Sequence, residues 1–138
     1  MIRAKQHELE NVVFLEPLPK AKIVGLMKSA DVGLQCLANV PAFYNGTSPN
    51  KFFDYLAAGL PVIINYPGWL AAKTKQNNCG FATKPDDAND FADVLQYASN
   101  HRDELVTMGE NAKDLAKLEF NREDLANQWV NWVTGTKR

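Results

Sequence analysis

The sequence predicts an α/β fold in which a parallel sheet of about four strands is covered by helices on both faces. Four short apolar runs are nearly continuous rather than alternating, which is typical of strands buried on both faces. Segments long enough for a crossover helix separate the runs, and strands connected in this way are parallel. The length of 138 residues indicates one domain, residues 1–138, whose last part is helical.

The four predicted strands lie at residues 11–15, 31–37, 62–65 and 79–83. The run Val-Ile-Ile-Asn at 62–65 is the clearest of them, because it is short, branched and apolar. We expect the polar members of the run at 31–37 to face a crevice. The strand at 79–83 is predicted mainly because it lies between two helical segments and ends before Pro85.

Helical patterns fill the connections and the end of the chain. After Pro19, which suits a first helical turn, apolar residues recur at helical spacing: Ile23, Leu26, Met27 and Ala30. A second helix carries an apolar stripe at 52–57 and ends at Gly59. Further helices are predicted at 70–77, 87–100, 103–118 and 122–133. The last one has a shared apolar face, made by Leu125, Trp129, Trp132 and Val133.

Composition limits the classes of partner and compartment. The chain has 15 Lys and Arg residues against 16 Asp and Glu residues, so no broad basic field is available for nucleic acid. The two cysteines, Cys36 and Cys79, lack the C-x-x-C spacing of a metal or redox site and suit a reducing compartment. No apolar stretch approaches the length that spans a bilayer. We therefore expect a cytoplasmic protein.

A sheet of this kind is a Rossmann-like half, and its ligands bind at the carboxyl ends of the strands. The longest loop after a strand covers residues 38–49 and leads directly into the second helix. Asn45 and Gly46 permit positive φ, Ser48 is a good N-cap, and Pro49 suits the first helical position. The free amides of such a helix end attract phosphate. On this feature alone, however, an ordinary capped helix start is the favoured interpretation.

Two side chains in the first turns of this helix carry charge. Lys51 could add a cation to an anion site at the helix start. Asp54 could accept hydrogen bonds from the vicinal hydroxyls of a ribose, as carboxylates do in nucleotide sites. The other interpretation is a surface ion pair between Asp54 and Lys51 at spacing i, i+3, and the pattern alone favours that pair.

The run 47–62, Thr-Ser-Pro-Asn-Lys-Phe-Phe-Asp-Tyr-Leu-Ala-Ala-Gly-Leu-Pro-Val, resembles the sugar-nucleotide motif of family 4 retaining glycosyltransferases, which have the GT-B fold. In bacterial polysaccharide enzymes this motif reads approximately S-P-x-K-x-x-E-Y-L-A-A-G-x-P-V. The flanking segments at 11–15, 29–34 and 108–112 are also similar to those of the family. The resemblance covers about residues 8 to 133 and implies the nucleotide-sugar-binding part of the C-terminal GT-B domain.

The resemblance assigns roles to the residues of the loop and helix. Asp54 stands at the position of the carboxylate that binds the donor's ribose, but its side chain is one methylene shorter than the family's Glu. The backbone from Thr47 to Asn50, which includes Ser48 and Pro49, would hold the diphosphate and the sugar. Gly46 replaces a Glu that contacts the donor sugar in many members. Sugar recognition would therefore depend on Asn45, Thr47 or backbone groups.

The resemblance also implies a reaction and a set of partners. It implies the donor-binding part of a transferase that moves a sugar, with retention, from a nucleotide-diphosphate sugar to a polysaccharide or glycolipid acceptor, as in capsule or O-antigen synthesis. Neither metal nor cofactor is expected, and a lipid-linked acceptor would place the enzyme at the inner face of the membrane. The family's N-terminal acceptor-binding domain is missing, so we expect little or no turnover from this chain alone.

A different class of function stays open from the sequence. The chain could be a stand-alone Rossmann-like binding or interaction module without turnover, which also predicts a stable fold. In full-length members of the resembled family the last helix crosses back to the first domain. We therefore expect Trp129 and Trp132 to be partly uncovered in this chain.

Overall fold

The computed structural model describes the backbone of residues 2–135 and the side chains from residue 4 to residue 135. Seven helices, three strands and one 3-10 turn follow one another along this part of the chain: α1 (Ile2–Gln6), α2 (Lys20–Lys28), β1 (Gly33–Gln35), the 3-10 turn (Pro41–Phe43), α3 (Asn50–Ala58), β2 (Val62–Ile64), α4 (Trp69–Gln76), β3 (Gly80–Ala82), α5 (Ala88–Asn100), α6 (Arg102–Glu119) and α7 (Arg122–Thr134).

The three strands form one parallel sheet in the order β1-β2-β3. Gly33 lies opposite Val62, and Val62 lies opposite Gly80, so the carboxyl ends of all three strands meet at one edge. Every residue of β2 is fully buried, as expected for a central strand with helices on both faces. The predicted parallel α/β fold is confirmed.

The predicted strand at residues 11–15 is wrong. These residues form no strand, and Val13, Phe14 and Leu15 are 77%, 51% and 60% exposed. A strand needs a neighbour for its backbone N–H and C=O groups. In the described part of the chain β1 pairs only with β2, and no strand lies beside residues 11–15 to take up those groups.

The other predicted elements form within a few residues of their expected bounds, and α1 and the 3-10 turn were not predicted. Gly59 ends α3 in the left-handed conformation with φ of 75°, as its position predicts. At the starts of the late helices, Asp87 caps α5 and Asn121 caps α7 through their side chains. No helix in the described part of the chain has both the length and the apolar character needed to cross a bilayer.

The main core lies between the sheet and helices α3, α4 and α6, with its largest side chains at Phe52, Leu56, Ile64, Tyr66 and Leu70. Helix α6 approaches the end of α3 closely because Gly109 has no side chain. A Cβ atom at Gly109 would lie 2.4 Å from the carbonyl oxygen of Gly59. This packing fixes α3 on the sheet, and it therefore fixes the amino end of α3 near the carboxyl edge.

Candidate functional site

The amino end of α3 presents free backbone donors. Pro49, with φ of −75° and ψ of 130°, is the N-cap, and no side chain caps this helix end. The predicted N-cap role of Ser48 and the helical position of Pro49 are thus wrong by one residue, because the extended ψ of Pro49 delays the helix until Asn50. In the described part of the chain, the amides of Asn50 and Lys51 donate no hydrogen bond to the protein. Such amides suit an anion.

The loop before α3 is held at several points. Asn39 Nδ2 donates to Asp86 Oδ2 at 2.7 Å, which ties the loop to the segment after β3. The hydroxyl of Tyr44 donates to the side-chain oxygen of Asn39. Trp69 Nε1 donates to the carbonyl oxygen of Thr47 at 3.1 Å, which ties the loop to the start of α4. The residues before α3 therefore have a defined backbone path.

A cavity of about 710 Å³ opens at the amino end of α3, and we call it the α3 cavity. It brings together three of the predicted site residues, Ser48, Asn50 and Asp54. The remaining predicted residues, Gly46, Thr47, Pro49 and Lys51, do not line it. The other lining residues come from α2, α3, α4, the α6–α7 junction and the first turns of α7: Lys20, Phe53, Trp69, Glu119, Phe120, Arg122, Leu125 and Ala126.

Asp54 has a different partner from the one considered in the sequence. Its Oδ1 lies 3.9 Å from Lys20 Nζ, and the ion pair with Lys51 is not formed. The Asp54 side chain is 43% exposed and that of Lys20 is 82% exposed. A pair so exposed contributes at most about 1 kcal/mol, so it offers little resistance to a ligand hydroxyl that approaches the carboxylate.

Lys51 lies on the side of α3 that faces the end of β1. Burial raises the pKa of the Cys36 thiol, and the nearby Lys51 ammonium partly opposes this effect. Burial also raises the pKa of Tyr55, with smaller contributions from Cys36 and Asp54. Lys51 therefore lies near Cys36, whereas Asp54 lines the α3 cavity.

A second cavity, of about 390 Å³, lies at the carboxyl edge of the sheet and is separate from the α3 cavity. Its lining residues are Cys36, Asn65, Lys84, Asp86, Asp87, Ala88 and Phe91. Asn65 is fixed there, because its Oδ1 accepts from the Leu37 amide at 2.8 Å and its Nδ2 donates to the Leu37 carbonyl at 2.9 Å. The sequence showed only that a polar residue ends the clearest strand.

Two buried polar side chains lie near this edge, and one of them, Gln35, is a polar member of the run at 31–37 that was expected to face a crevice. Gln35 is fully buried in β1, and both polar atoms of its amide lack a hydrogen-bond partner among the described residues. The buried hydroxyl of Tyr66 also lacks a hydrogen-bond partner among the described residues. Burial raises the pKa of Tyr66. The apolar run around Gln35 gave the only signal, since a polar residue inside it must face something polar.

Three aromatic rings close one side of the α3 cavity. The ring centroid of Phe53 lies 5.0 Å from that of Phe120 and 6.4 Å from that of Trp69. All three side chains are half-buried and line the cavity. Helical spacing predicts only that Phe53 is apolar and inward. Its two partners come from distant parts of the sequence, which is why sequence reasoning missed this group.

Comparison with known proteins gives one family and a small set of relatives. Residues 3–131 match the model of a family described as glycosyl transferase-like. A D-inositol 3-phosphate glycosyltransferase of Corynebacterium aurimucosum is 29% identical over 129 residues, which are 93% of this chain and 29% of that protein. The enzyme of the same name from Corynebacterium kroppenstedtii is 29% identical over 105 residues, which are 76% of this chain and 22% of that protein.

The structure itself resembles a solved one. Sucrose-phosphate synthase from Thermosynechococcus elongatus superposes with a TM-score of 0.80 and 22% identity. The match covers 96% of this chain and 32% of that chain. This likeness concerns the fold and supports the predicted GT-B type. The chain spans less than a third of the length of each of these three proteins.

Proposed function

The chain belongs to the glycosyl transferase-like family, and from this membership we propose that it is the donor-binding part of a glycosyltransferase. In this proposal the full enzyme moves a sugar from a nucleotide-diphosphate sugar to an acceptor, with retention at the anomeric carbon. The family membership supports sugar transfer. The nucleotide donor and the stereochemistry are supported by the resemblance of residues 47–62 to the sugar-nucleotide motif.

One observation carries the proposal: the free helix-end amides and a carboxylate one turn deeper lie at the same helix end. The amides of Asn50 and Lys51 have no protein partner among the described residues, and Asp54 follows on the same helix. Amides at a helix start bind phosphate oxygens, assisted by the helix dipole. A carboxylate that accepts two hydroxyl hydrogens suits the ribose of the same nucleotide.

The proposed catalysis is electrostatic. Negative charge develops on the leaving diphosphate, and the helix-end amides with the Lys51 ammonium stabilise it. Since Gly46 has no side chain, hydrogen bonds to the transferred sugar come from Asn45, Thr47 or backbone groups. Neither a metal nor a cofactor enters this proposal.

The acceptor and its domain are also proposals. The chain spans less than a third of its named relatives, and in the resembled family an N-terminal domain binds the acceptor. We propose that such a domain completes the enzyme and that this chain alone binds donor without turnover. A lipid-linked or polysaccharide acceptor of the capsule or O-antigen type is the first candidate. The relatives named for D-inositol 3-phosphate favour a small phosphorylated acceptor as the second.

Calorimetric titration with UDP, GDP and dTDP, and with their sugar derivatives, tests the donor role. We expect Asp54→Ala to weaken binding of the best nucleotide by about 1–3 kcal/mol, the scale of hydrogen bonds to a charged group. Asp93→Ala, an exposed carboxylate on α5 away from both cavities, is the matched control and should leave the affinity unchanged. Equal affinities for the wild type and Asp54→Ala would reject the role of Asp54, and no binding of any nucleotide would reject the donor site.

A further inference from the structure

We propose that the aromatic side of the α3 cavity binds a neutral saccharide ring, with Phe53, Trp69 and Phe120 as its apolar floor. This inference rests on the proposed function, because it names where the sugar of a substrate lies once the nucleotide occupies the helix start. It adds a subsite that the motif at residues 47–62 does not contain. Phe120 lies at the end of α6, far from that motif in the sequence.

The geometry of the three rings favours a sugar over a flat base. The planes of Phe53 and Phe120 are inclined at 68°, and those of Phe53 and Trp69 at 34°. The rings therefore make a bent floor, and they leave no parallel slot in which a nucleobase could stack between two faces. A sugar ring has C–H groups on its faces and hydroxyls at its edge, and it can rest on such a floor by one face.

The floor is held in place before any ligand arrives. The indole of Trp69 donates to the Thr47 carbonyl at 3.1 Å, so the ring cannot turn without breaking that bond. Trp69 is also the first residue of α4, and Gly68 before it packs against the loop. A Cβ atom at Gly68 would lie 2.0 Å from the Tyr44 carbonyl oxygen. A preformed surface loses little conformational entropy on binding, which favours even a small ligand.

Polar groups surround this floor. Ser48, Asn50, Glu119 and Arg122 line the cavity together with Asp54, which the proposed function assigns to the ribose. These four residues offer hydroxyl, amide, carboxylate and guanidinium groups, which together can donate to and accept from ring hydroxyls. An apolar floor with a few polar groups at its edge is the usual composition of a small-molecule site.

The charges of the cavity favour an uncharged ligand at the aromatic side. The lining contains two carboxylates and two cations, so its formal charges cancel. Glu119 is also engaged by Lys73, whose Nζ lies 2.5 Å from its Oε2. The volume of about 710 Å³ lies within the range of small-molecule sites, which accommodates a sugar ring beside a diphosphate.

Amide and indole N–H spectra of the whole chain test this subsite. The probes are the methyl α-glycosides of glucose, mannose and galactose, added up to high millimolar concentration. We expect at least one of them to shift the indole resonance of Trp69, identified by its loss in Trp69→Phe. The indole resonances of Trp129 and Trp132 should stay in place, because both lie on α7 outside the cavity.

Variants then locate the contact. Phe120→Ala should weaken glycoside binding about fivefold or more, since it removes one ring of the floor. Phe43→Ala removes a 55% exposed ring outside the cavity and should leave binding unchanged. Phe120→Leu keeps the bulk of the side chain and should show an intermediate loss. If Phe120→Ala fails to fold, titrations of the wild type and of Phe120→Leu still show whether glycosides bind at this subsite.

Two results would overturn the subsite: no glycoside shifts the Trp69 indole, or nucleosides shift it and glycosides do not. The proposed donor site has its own readout, since UDP or GDP should shift the amides of Asn50 and Lys51. A shift of those amides without a glycoside effect on Trp69 removes the subsite and leaves the donor site standing. If a nucleotide sugar shifts Trp69 more than its nucleotide does, the donor's sugar is the occupant. If a glycoside still shifts it when the whole nucleotide sugar is bound, the acceptor's sugar is the occupant.

Discussion

Residues 62–64 and residues 12–15 are both short runs of apolar, strand-forming residues, yet only the first forms a strand. Val62, Ile63 and Ile64 are fully buried, whereas Val13 is 77% exposed. The difference lies in their neighbours, because β2 has a parallel strand on each side and residues 12–15 have none among the described residues. An apolar run specifies a buried strand only where other parts of the polypeptide supply partners.

Helix α7 shows the same contrast at the other end of the chain. It forms as the sequence predicts, but none of its described residues is buried. Trp129 and Trp132 are 63% and 80% exposed, as the sequence analysis expects for this apolar face. Helix formation is local and is favoured here by the Asn121 cap, while burial of a face needs a partner.

The largest expected difference between these regions is in stability. Ile64→Ala should lower the free energy of unfolding by about 2–5 kcal/mol, because it leaves a cavity in a fully packed core. Val13→Ala should change it by less than about 0.5 kcal/mol, as for an exposed surface position. Urea denaturation of both variants measures the contrast. A loss for Val13→Ala that approaches the loss for Ile64→Ala would show that residues 12–15 are buried in solution.

Two helical glycines, Gly109 and Gly25, differ in how closely other atoms pack around them. Gly109→Ala should destabilise the fold by about 1–3 kcal/mol, since its Cβ would lie 2.4 Å from the Gly59 carbonyl oxygen between α6 and α3. Gly25→Ala in α2 meets nothing within 4 Å and should stabilise the fold by about 0.5–1 kcal/mol through helix propensity. Thermal unfolding of the two variants gives the signs, and the same sign for both would contradict the packing described for α6.

The two cysteines differ in burial, so their thiols can test the contrast between the core and the surface. Burial raises the pKa of both thiols, that of Cys79 from 9.0 to about 11, but only the Cys36 side chain is exposed to solvent, just after β1. Alkylation of the folded chain with iodoacetamide near pH 8 should therefore label Cys36 first and leave Cys79 unreacted until unfolding. Mass spectrometry of peptides reads the sites, and equal labelling would show that the core around Cys79 opens readily.

The pH dependence of stability follows from the same shift. The Cys79 thiol ionises near pH 9 in the unfolded chain and near pH 11 in the folded chain. The unfolded state therefore loses its proton first, and this contribution to stability is complete below pH 9 and declines as the pH rises toward 11. Cys79→Ser should reduce the decline over this window in urea titrations, and an unchanged decline would assign it to other groups.

The sequence predicted the elements whose signals are local. Three of four strands, six helices and the left-handed end of α3 at Gly59 follow from apolar spacing and from the backbone freedom of glycine. The strand at 11–15 was wrong because strand formation depends on distant partners. The cap at Ser48 was wrong by one residue, since helix ends shift with small changes in ψ.

The candidate site was predictable in part, and for a physical reason. The loop before α3 and its charged residues can be found from turn and cap chemistry together with the motif resemblance. Asp54, however, pairs with Lys20 rather than Lys51, because the fold brings α2 against α3. The aromatic floor joins residues from α3, α4 and the end of α6, and no spacing in one segment could indicate it.

The side chain of Asn65 holds the backbone of the segment after β1. Its amide imitates one peptide unit of a strand, since it both accepts from and donates to Leu37. It thereby continues the pairing of β1 and β2 past the last ladder bond and fixes where the loop to α3 departs. The substitution Asn65→Asp would exchange the NH₂ group for an oxygen and set two acceptors face to face. This substitution would therefore release the loop that leads to α3, while the sheet stays folded.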